Sequence, residues 1–434
     1  MRGKPSPSQQ AVIASWCVEL DQRHRCQVIV LIWPDSHVIL SSEQQFVQKS
    51  LCHSDTNSTS SPTSFPTYPN IFCAKMTVLR SALGRQTRPP LNLRAMSRPR
   101  SLSTSSSITA SEAASQMLHT FQDKTIVRKQ TLDGNQLQKL CLTLGRRYGL
   151  GPQLDLTLGC PPAGTPVPPG YHLVYFTPSE LEEDLGADGT DRTFNAPAPF
   201  TRRMWAGGQM RWNDGTELRV GEQVEEHTKL LSAVAKKSRD GSEMVLVEVN
   251  KEFWGERGLA LVDQRSWIFR KAIDLSAISS SSSSSTSSMP PIPPPRGGKS
   301  EVRDVIMGDN ALPDRVFKWS PAALFRFSAL TFNAHMIHYN ESWTRAVENH
   351  PGVVVHGPLN LINMLDYWRD VHRVEGSVLE EISYRATAPI YAGEEYAMSS
   401  SKMNTDYGIF EVLVKKGDQV CMTGHISEAS SWSY

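Results

Sequence analysis

The chain has 434 residues, room for two or three domains at roughly 100–200 residues each. Apolar residues make up 39% and charged residues 21%, and 45 Lys and Arg face 44 Asp and Glu, a formal net charge of +1. That balance speaks against a dedicated nucleic-acid binder. No apolar run reaches the roughly 18 residues of a membrane-spanning helix, so no stable membrane insertion is expected. The seven cysteines include no CxxC pair, which argues against a disulfide framework or a structural zinc site.

The even net charge hides an uneven distribution. Residues 1–115 carry 12 Lys and Arg against 6 Asp and Glu, and no acid at all lies between Thr56 and Ser111. From Met76 the chain is rich in arginine (Arg80, Arg85, Arg88, Arg94, Arg98, Arg100), serine and threonine. This is the composition of a mitochondrial transit peptide. We therefore expect translation to begin at Met76, residues 76–111 to be an address for the mitochondrial matrix, and residues 1–75 to be a non-native or disordered extension. The alternative is a basic tail with no address.

A second biased stretch, residues 275–300, holds the serine run Ser279–Ser285 and a proline cluster from Met289. Serine gives flexibility and proline an extended chain, so this is a linker. Its end, Gly298-Lys299-Ser300, looks like half of a phosphate loop, but Pro293 occupies the position of the required glycine and no strand precedes it. It is read as a linker accident.

Two regions remain, 115–274 and 301–434, and their C-terminal halves share one pattern. In the first, a segment opens at Val220-Gly221-Glu222, and Glu243–Phe253 and Leu259–Arg270 follow across Trp254–Gly258. In the second, a segment opens at Ala392-Gly393-Glu394, and Tyr407–Lys415 and Gln419–Ile426 follow across Lys416–Asp418. Period-two alternation of β-branched and aromatic residues between glycine turns predicts a three-stranded antiparallel meander in each. The repetition points to a diverged internal duplication. Ahead of the second meander, Leu359 to Arg373 places Leu361, Leu365 and Trp368 at helical spacing. Pro358 suits its first position and Gly357 stands at or beside the cap. A helix end of this kind offers free N–H groups and a positive dipole to a developing oxyanion.

Residues Phe325 to Asn340 read FRFSALTFNAHMIHYN. The lead Phe327-Ser328-Ala329-Leu330-Thr331, with His338 five residues after Asn333 and His356-Gly357 beyond, resembles the hydration motif of the MaoC-like family. That family includes R-specific enoyl-CoA hydratases and 3-hydroxyacyl-thioester dehydratases. Pro169-GYHLVYF, the run from Arg202 to Gly208, and Ile268-Phe269-Arg270 resemble the non-catalytic N-terminal half of its two-domain members. The chain resembles in particular the mitochondrial hydroxyacyl-thioester dehydratases of type 2 of fungi and animals.

The resemblance implies an α+β fold of two hot-dog domains, each a curved antiparallel sheet wrapped around a central helix, the second being catalytic. It implies a hydro-lyase that interconverts (3R)-3-hydroxyacyl and trans-2-enoyl thioesters, in mitochondrial type II fatty acid synthesis, on CoA or an acyl-carrier protein and with no cofactor. It also implies a pseudo-dimer within one chain, with a homodimer left open. His338 would be catalytic, with Gly357 and His356 binding substrate at the oxyanion. Asn333 occupies the place of the family's aspartate and can orient but not take a proton; Glu341 and Glu348 are the nearest carboxylates in sequence. Arg202 and Arg203 could meet phosphates of CoA or an acidic carrier, or be a structural pair. Trp205 and the glycines after it are expected to shape a turn and close packing. His335 and His338 lack a third ligand, so no metal is expected. The alternatives are a hydratase of a short branched or dicarboxylic enoyl-CoA of mesaconyl type, a hot-dog thioesterase, and a non-catalytic acyl-thioester binding protein.

Overall fold

The computed structural model describes residues 108–150, 154–276, 298–306, 312–373, 377–404 and 408–430, together with three strands nearer the N-terminus. Those three are β1 (Ile13–Leu20), β2 (Cys26–Ile32) and β3 (Ile39–Leu40), paired in that order in a small antiparallel sheet of their own. They fall inside the 1–75 extension. The arginine-rich stretch up to residue 107 and the linker residues 277–297 lie outside the described residues.

The remaining strands form one continuous antiparallel sheet of 11. Its first half runs in the order β4 (Thr125–Thr131), β6 (Gln223–Lys237), β7 (Glu243–Gly255), β8 (Gly258–Arg270), β5 (Arg202–Trp212). The second half mirrors that order outward from the junction: β11 (Ser377–Ala386), β14 (Gln419–Ser430), β13 (Ile409–Lys416), β12 (Glu395–Asn404), β10 (Asp314–Lys318), with β9 (Glu301–Val305) added at the edge. Each half is therefore one copy of the same five-strand topology. Both expected meanders are present, and β5 joins β11 through pairs such as Gly208–Tyr384.

Helices occupy the concave side. In the second half α3 (Pro321–Leu330), the short α4 (Glu341–Ala346) and the long α5 (Gly357–Val371) fall between its first two core strands. Every residue of α5 from Leu359 to Trp368 is buried. A helix enclosed all round, not on one apolar face as its spacing suggests, is what a sheet curled about it requires. In the first half α2 (Gly134–Thr143) takes the place of α3, and among the described residues no long helix follows it before β5. The helix on this sheet is α1 (Ala110–Phe121), from before the first strand. Thr109 and Glu112 close a capping box at its start, and Ala110, Ala113, Ala114 and Met117 pack with Val245, Val247, Trp267 and Phe269. The first domain thus begins ahead of the expected residue 115. The structure is a double hot-dog fold, two halves of one sheet, each holding a helix.

Segment Gly170 to Val174 ties the halves together. Tyr171 donates to Asp366 of α5 at 2.9 Å, and the Gly170 backbone lies so close that a Cβ there would meet Leu365 at 2.7 Å. The run from Arg202 to Gly208 belongs to strand β5 and not to a turn. Its glycines serve close packing, since a Cβ on Gly208 would sit 2.1 Å from the Gln264 carbonyl and 2.6 Å from the Tyr384 hydroxyl.

Candidate active site

Between the halves lies a cavity of about 440 Å³ lined by Asn333, His335, His338, His356 and Gly357, with Trp205 facing them from the first half. Helix α3, capped by Ser320 and with Pro321 in its first turn, ends at Leu330. Phe332 then takes a left-handed backbone (φ 47°), which turns the chain sharply. Asn333 Oδ1 accepts the backbone N–H of His335 at 3.0 Å and so fixes the bend that follows. A 3-10 turn, Met336–His338, delivers the His338 ring to the cavity.

His338 is buried, and its Nδ1 lies 2.8 Å from the carbonyl of Val354. A carbonyl only accepts, so Nδ1 carries the proton and Nε2 keeps the lone pair. The ring stacks on His356, centroids 3.8 Å apart and planes 17° apart. His356 Nε2 in turn meets the Ser328 hydroxyl at 2.9 Å, and Phe327 packs edge-on against it at 4.9 Å. The small and aromatic residues of the Phe327–Thr331 lead thus hold the floor beneath His338. Burial, and then the neighbouring His335, hold His338 at about 3. Burial and the charges of Arg203 and Arg202 put His335 also at about 3, and burial holds His356 well below its ordinary value. All three imidazoles are neutral near pH 7.

Helix α5 starts at this point. His356 is its N-cap and Gly357 its first residue, so Pro358 is second and not first as expected. The opening N–H groups of a helix have no intrahelical acceptor. Trp205 packs directly on Gly357: a Cβ there would meet the indole at 2.2 Å. The indole also stacks on Tyr384 at 4.9 Å. Trp205 was expected only to shape packing; it also lines the cavity.

The first half reaches the site by a loop as well. Asp188 accepts Met336 N–H on its backbone carbonyl at 2.8 Å, and its carboxylate lies 3.7 Å from His335 Nε2. Arg203 lines the cavity but pairs with Asp191, and Arg202 pairs with Glu348. Both arginines are thus already engaged by carboxylates. Glu341 sits beside Arg345 at 3.5 Å, and neither it nor Glu348 lines the cavity. Asp188, Asp191 and His350 were not singled out in the sequence, because a loop from the other half brings the first two here and nothing local marks them.

Among the described residues no group of three or more His, Cys, Asp or Glu is placed to hold a metal ion.

Comparison with known proteins places the chain in a family. The family model "hydroxyacyl-thioester dehydratase type 2" matches residues 170–392. The chain is 28% identical to mesaconyl-C(4)-CoA hydratase of Chloroflexus aurantiacus, over 58% of this chain and 80% of that one. It is 26% identical to the mitochondrial hydroxyacyl-thioester dehydratase type 2 of Schizosaccharomyces pombe, over 53% and 76%. Among solved structures, a MaoC-like dehydratase from Phytophthora capsici aligns with 73% of this chain and 99% of its own, at 12% identity and a TM-score of 0.47. The chain belongs to the hydroxyacyl-thioester dehydratase type 2 family and is a hydro-lyase of the dehydratase and hydratase class.

Proposed function

We propose that the protein reversibly dehydrates (3R)-3-hydroxyacyl thioesters to trans-2-enoyl thioesters, with His338 as the group that moves the proton. The observation that carries this reading is the fixed tautomer of His338, Nδ1–H on the Val354 carbonyl and Nε2 free at the cavity beside the start of α5. In dehydration Nε2 takes the C2 proton, and the electron pair of the breaking C–H bond moves onto the thioester oxygen. The Gly357 N–H and the helix dipole stabilise that enolate. The enolate then collapses, C2=C3 forms, the C3–O bond breaks, and the imidazolium gives its proton to the departing hydroxyl, releasing water. The environment that keeps His338 neutral also makes its imidazolium a strong acid, as the second step needs. Because Asn333 Oδ1 is occupied by His335 N–H, its Nδ2 is the end available to donate to the 3-hydroxyl oxygen. His356 supports the His338 ring from below.

The cellular setting proposed is type II fatty acid synthesis in the mitochondrial matrix, on acyl-carrier protein or CoA thioesters. It is supported by the acid-free, arginine-rich segment after Met76 and by the mitochondrial relative. The two sheets joined through β5 and β11 support a pseudo-dimer within one chain. The test uses (3R)- and (3S)-3-hydroxybutyryl-CoA, with conjugated-thioester absorbance and free thiol followed together. Absorbance rising with the 3R ester alone, without thiol release, is expected. Thiol release without conjugation would identify a thioesterase instead.

A further inference from the structure

His338 has a second imidazole beside it that the proposed chemistry does not use. The rings of His335 and His338 stand edge to face, centroids 5.5 Å apart and planes 83° apart, and both line the cavity. His335 is buried and neutral, so one ring nitrogen carries a proton and the other a lone pair. Of the two, only Nε2 is buried without a hydrogen bond, which leaves Nδ1 as the nitrogen open to the cavity. Nε2 faces the carboxylate of Asp188, 3.7 Å away. That is beyond hydrogen-bond reach, yet close enough for a negative charge in a buried place to bias the ring.

The loop that carries Asp188 belongs to the first half, and it is fixed against the turn that carries the histidines. It closes on itself, Gly186 N–H donating to the Thr190 carbonyl at 2.8 Å and Gly189 N–H to the Gly186 carbonyl at 2.9 Å. Asp188 Oδ1 accepts the Thr190 N–H at 3.0 Å and the Thr190 hydroxyl at 2.6 Å, so Oδ2 is the oxygen left for His335. Gly189 has φ 82°, and a Cβ on it would lie 2.0 Å from the Ala334 carbonyl. With Met336 N–H on the Asp188 carbonyl, the loop grips the chain on both sides of His335. The other carboxylate near the ring, Asp191, is taken through both oxygens by Arg203. Arg203, Arg202 and His350 also stand about His335 and oppose a second proton on it. A carboxylate only accepts, so Nε2 carries the proton and Nδ1 shows its lone pair to the cavity. This is the reverse of His338, whose Nδ1–H is on the Val354 carbonyl.

We propose that His335 Nδ1 accepts the O–H of the substrate's 3-hydroxyl, or of the attacking water in reverse, and that Asp188 is the positioning residue that fixes His335 as an acceptor. This rests on the hydro-lyase reading above. Every hydrogen and lone pair of the attacking water then has a place. One O–H meets His338 Nε2 and gives up its proton there; the other meets His335 Nδ1 and keeps its own. One lone pair accepts from Asn333 Nδ2, and the other forms the bond to C3. The imidazolium of His338 then returns its proton to C2. His335 takes no proton in either direction. In the opposite tautomer it would offer an N–H, and the retained O–H would be left without an acceptor.

The tautomer is read on the full chain carrying isotopically labelled histidine. A proton–nitrogen correlation spectrum shows which ring nitrogen is protonated, and the His335 signal is the one lost in His335→Gln. The wild type should show the His335 proton on Nε2. Asp188→Asn keeps an oxygen for Thr190 and turns the atom facing His335 from acceptor into donor. It should move the proton to Nδ1 and leave the urea midpoint near that of the wild type. A wild-type proton on Nδ1, or no change in Asp188→Asn, would overturn the proposal. The contact with substrate is read by calorimetry on the His338→Ala protein, which holds the esters without turning them over. The probes are (3R)-3-hydroxybutyryl-CoA and butyryl-CoA, which lacks the hydroxyl. Adding Asp188→Asn or His335→Gln should shift the ratio of the two affinities at least about fivefold toward butyryl-CoA, whose own affinity stays unchanged. An equal loss for both esters would show a structural role only and refute the proposal, as would an unchanged ratio. Should Asp188→Asn fail to fold, the wild-type spectrum and His335→Gln decide. A wild type with the expected spectrum that hydrates no crotonyl-CoA would count against the hydro-lyase reading instead.

Discussion

His338 and His356 lie ring on ring, with centroids 3.8 Å apart, and only His338 reaches a backbone carbonyl, that of Val354. The lower ring is held in turn by the Ser328 hydroxyl. The His338 imidazole therefore owes its position to a column of three side chains drawn from α3, the turn after it and the cap of α5.

Ser328→Ala tests that column. It takes the Ser328 hydroxyl away from the buried His356 Nε2, which costs about 1–3 kcal/mol. The urea midpoint should fall accordingly and kcat should drop with it. An unchanged midpoint and rate would mean that the column does not position His338.

Gly357→Ala places a methyl group into the Trp205 indole, where a Cβ would lie 2.2 Å from the ring. Either the indole or the first turn of α5 must move, and a displacement of ~1 Å at the reacting centre can cost about a hundredfold in rate. A Trp205→Leu change on the same background makes room and should recover part of kcat/KM. A double variant no better than the single one would separate the loss from this contact.

Asn333 distinguishes holding from proton transfer. Asn333→Ala removes the acceptor of His335 N–H and should lower kcat by about tenfold or more, with a smaller loss of stability. Asn333→Asp keeps the acceptor and should preserve the unfolding midpoint. Its pH–rate profile should gain a new limb, because a carboxylate now titrates beside the substrate. An alanine variant with the wild-type rate would remove Asn333 from the mechanism.

Acid should destabilise the fold through the histidines. His335 and His338 sit at about 3 in the folded protein and near 6.5 when unfolded. Between those values the unfolded chain binds protons that the folded one refuses. Their contribution is complete above about pH 6.5 and is lost as pH falls toward 3, by at most about 1.4 kcal/mol per pH unit for each group. Urea midpoints from pH 7.5 to 4.5 should decline, and more shallowly in His335→Gln. Parallel slopes in the two proteins would contradict this.

Much of the framework is legible in the sequence because it is local. Alternating Val, Phe and Ile between glycine turns mark the meanders, and His356-Gly357-Pro358 marks the start of a helix. Thr109 and Glu112, three residues apart, also announce α1, although the basic composition just upstream obscures them. What the sequence hides is pairing between distant segments. Nothing near Trp205 points to Gly357, and nothing near Asp188 points to His335, since both contacts depend on how the two halves join. The buried Lys251 of β7 did leave a trace: it falls in the inward register of Val245, Val247 and Val249, where the alternation calls for an apolar residue.

The central claim is that His338 moves the proton in a hydro-lyase reaction. The direct measurement is loss of conjugated-thioester absorbance from crotonyl-CoA, followed with wild-type protein and with His338→Ala, both shown to be folded. Hydration by the wild type that falls at least about a thousandfold in the variant is the predicted result. Hydration at comparable rates in both proteins would contradict it.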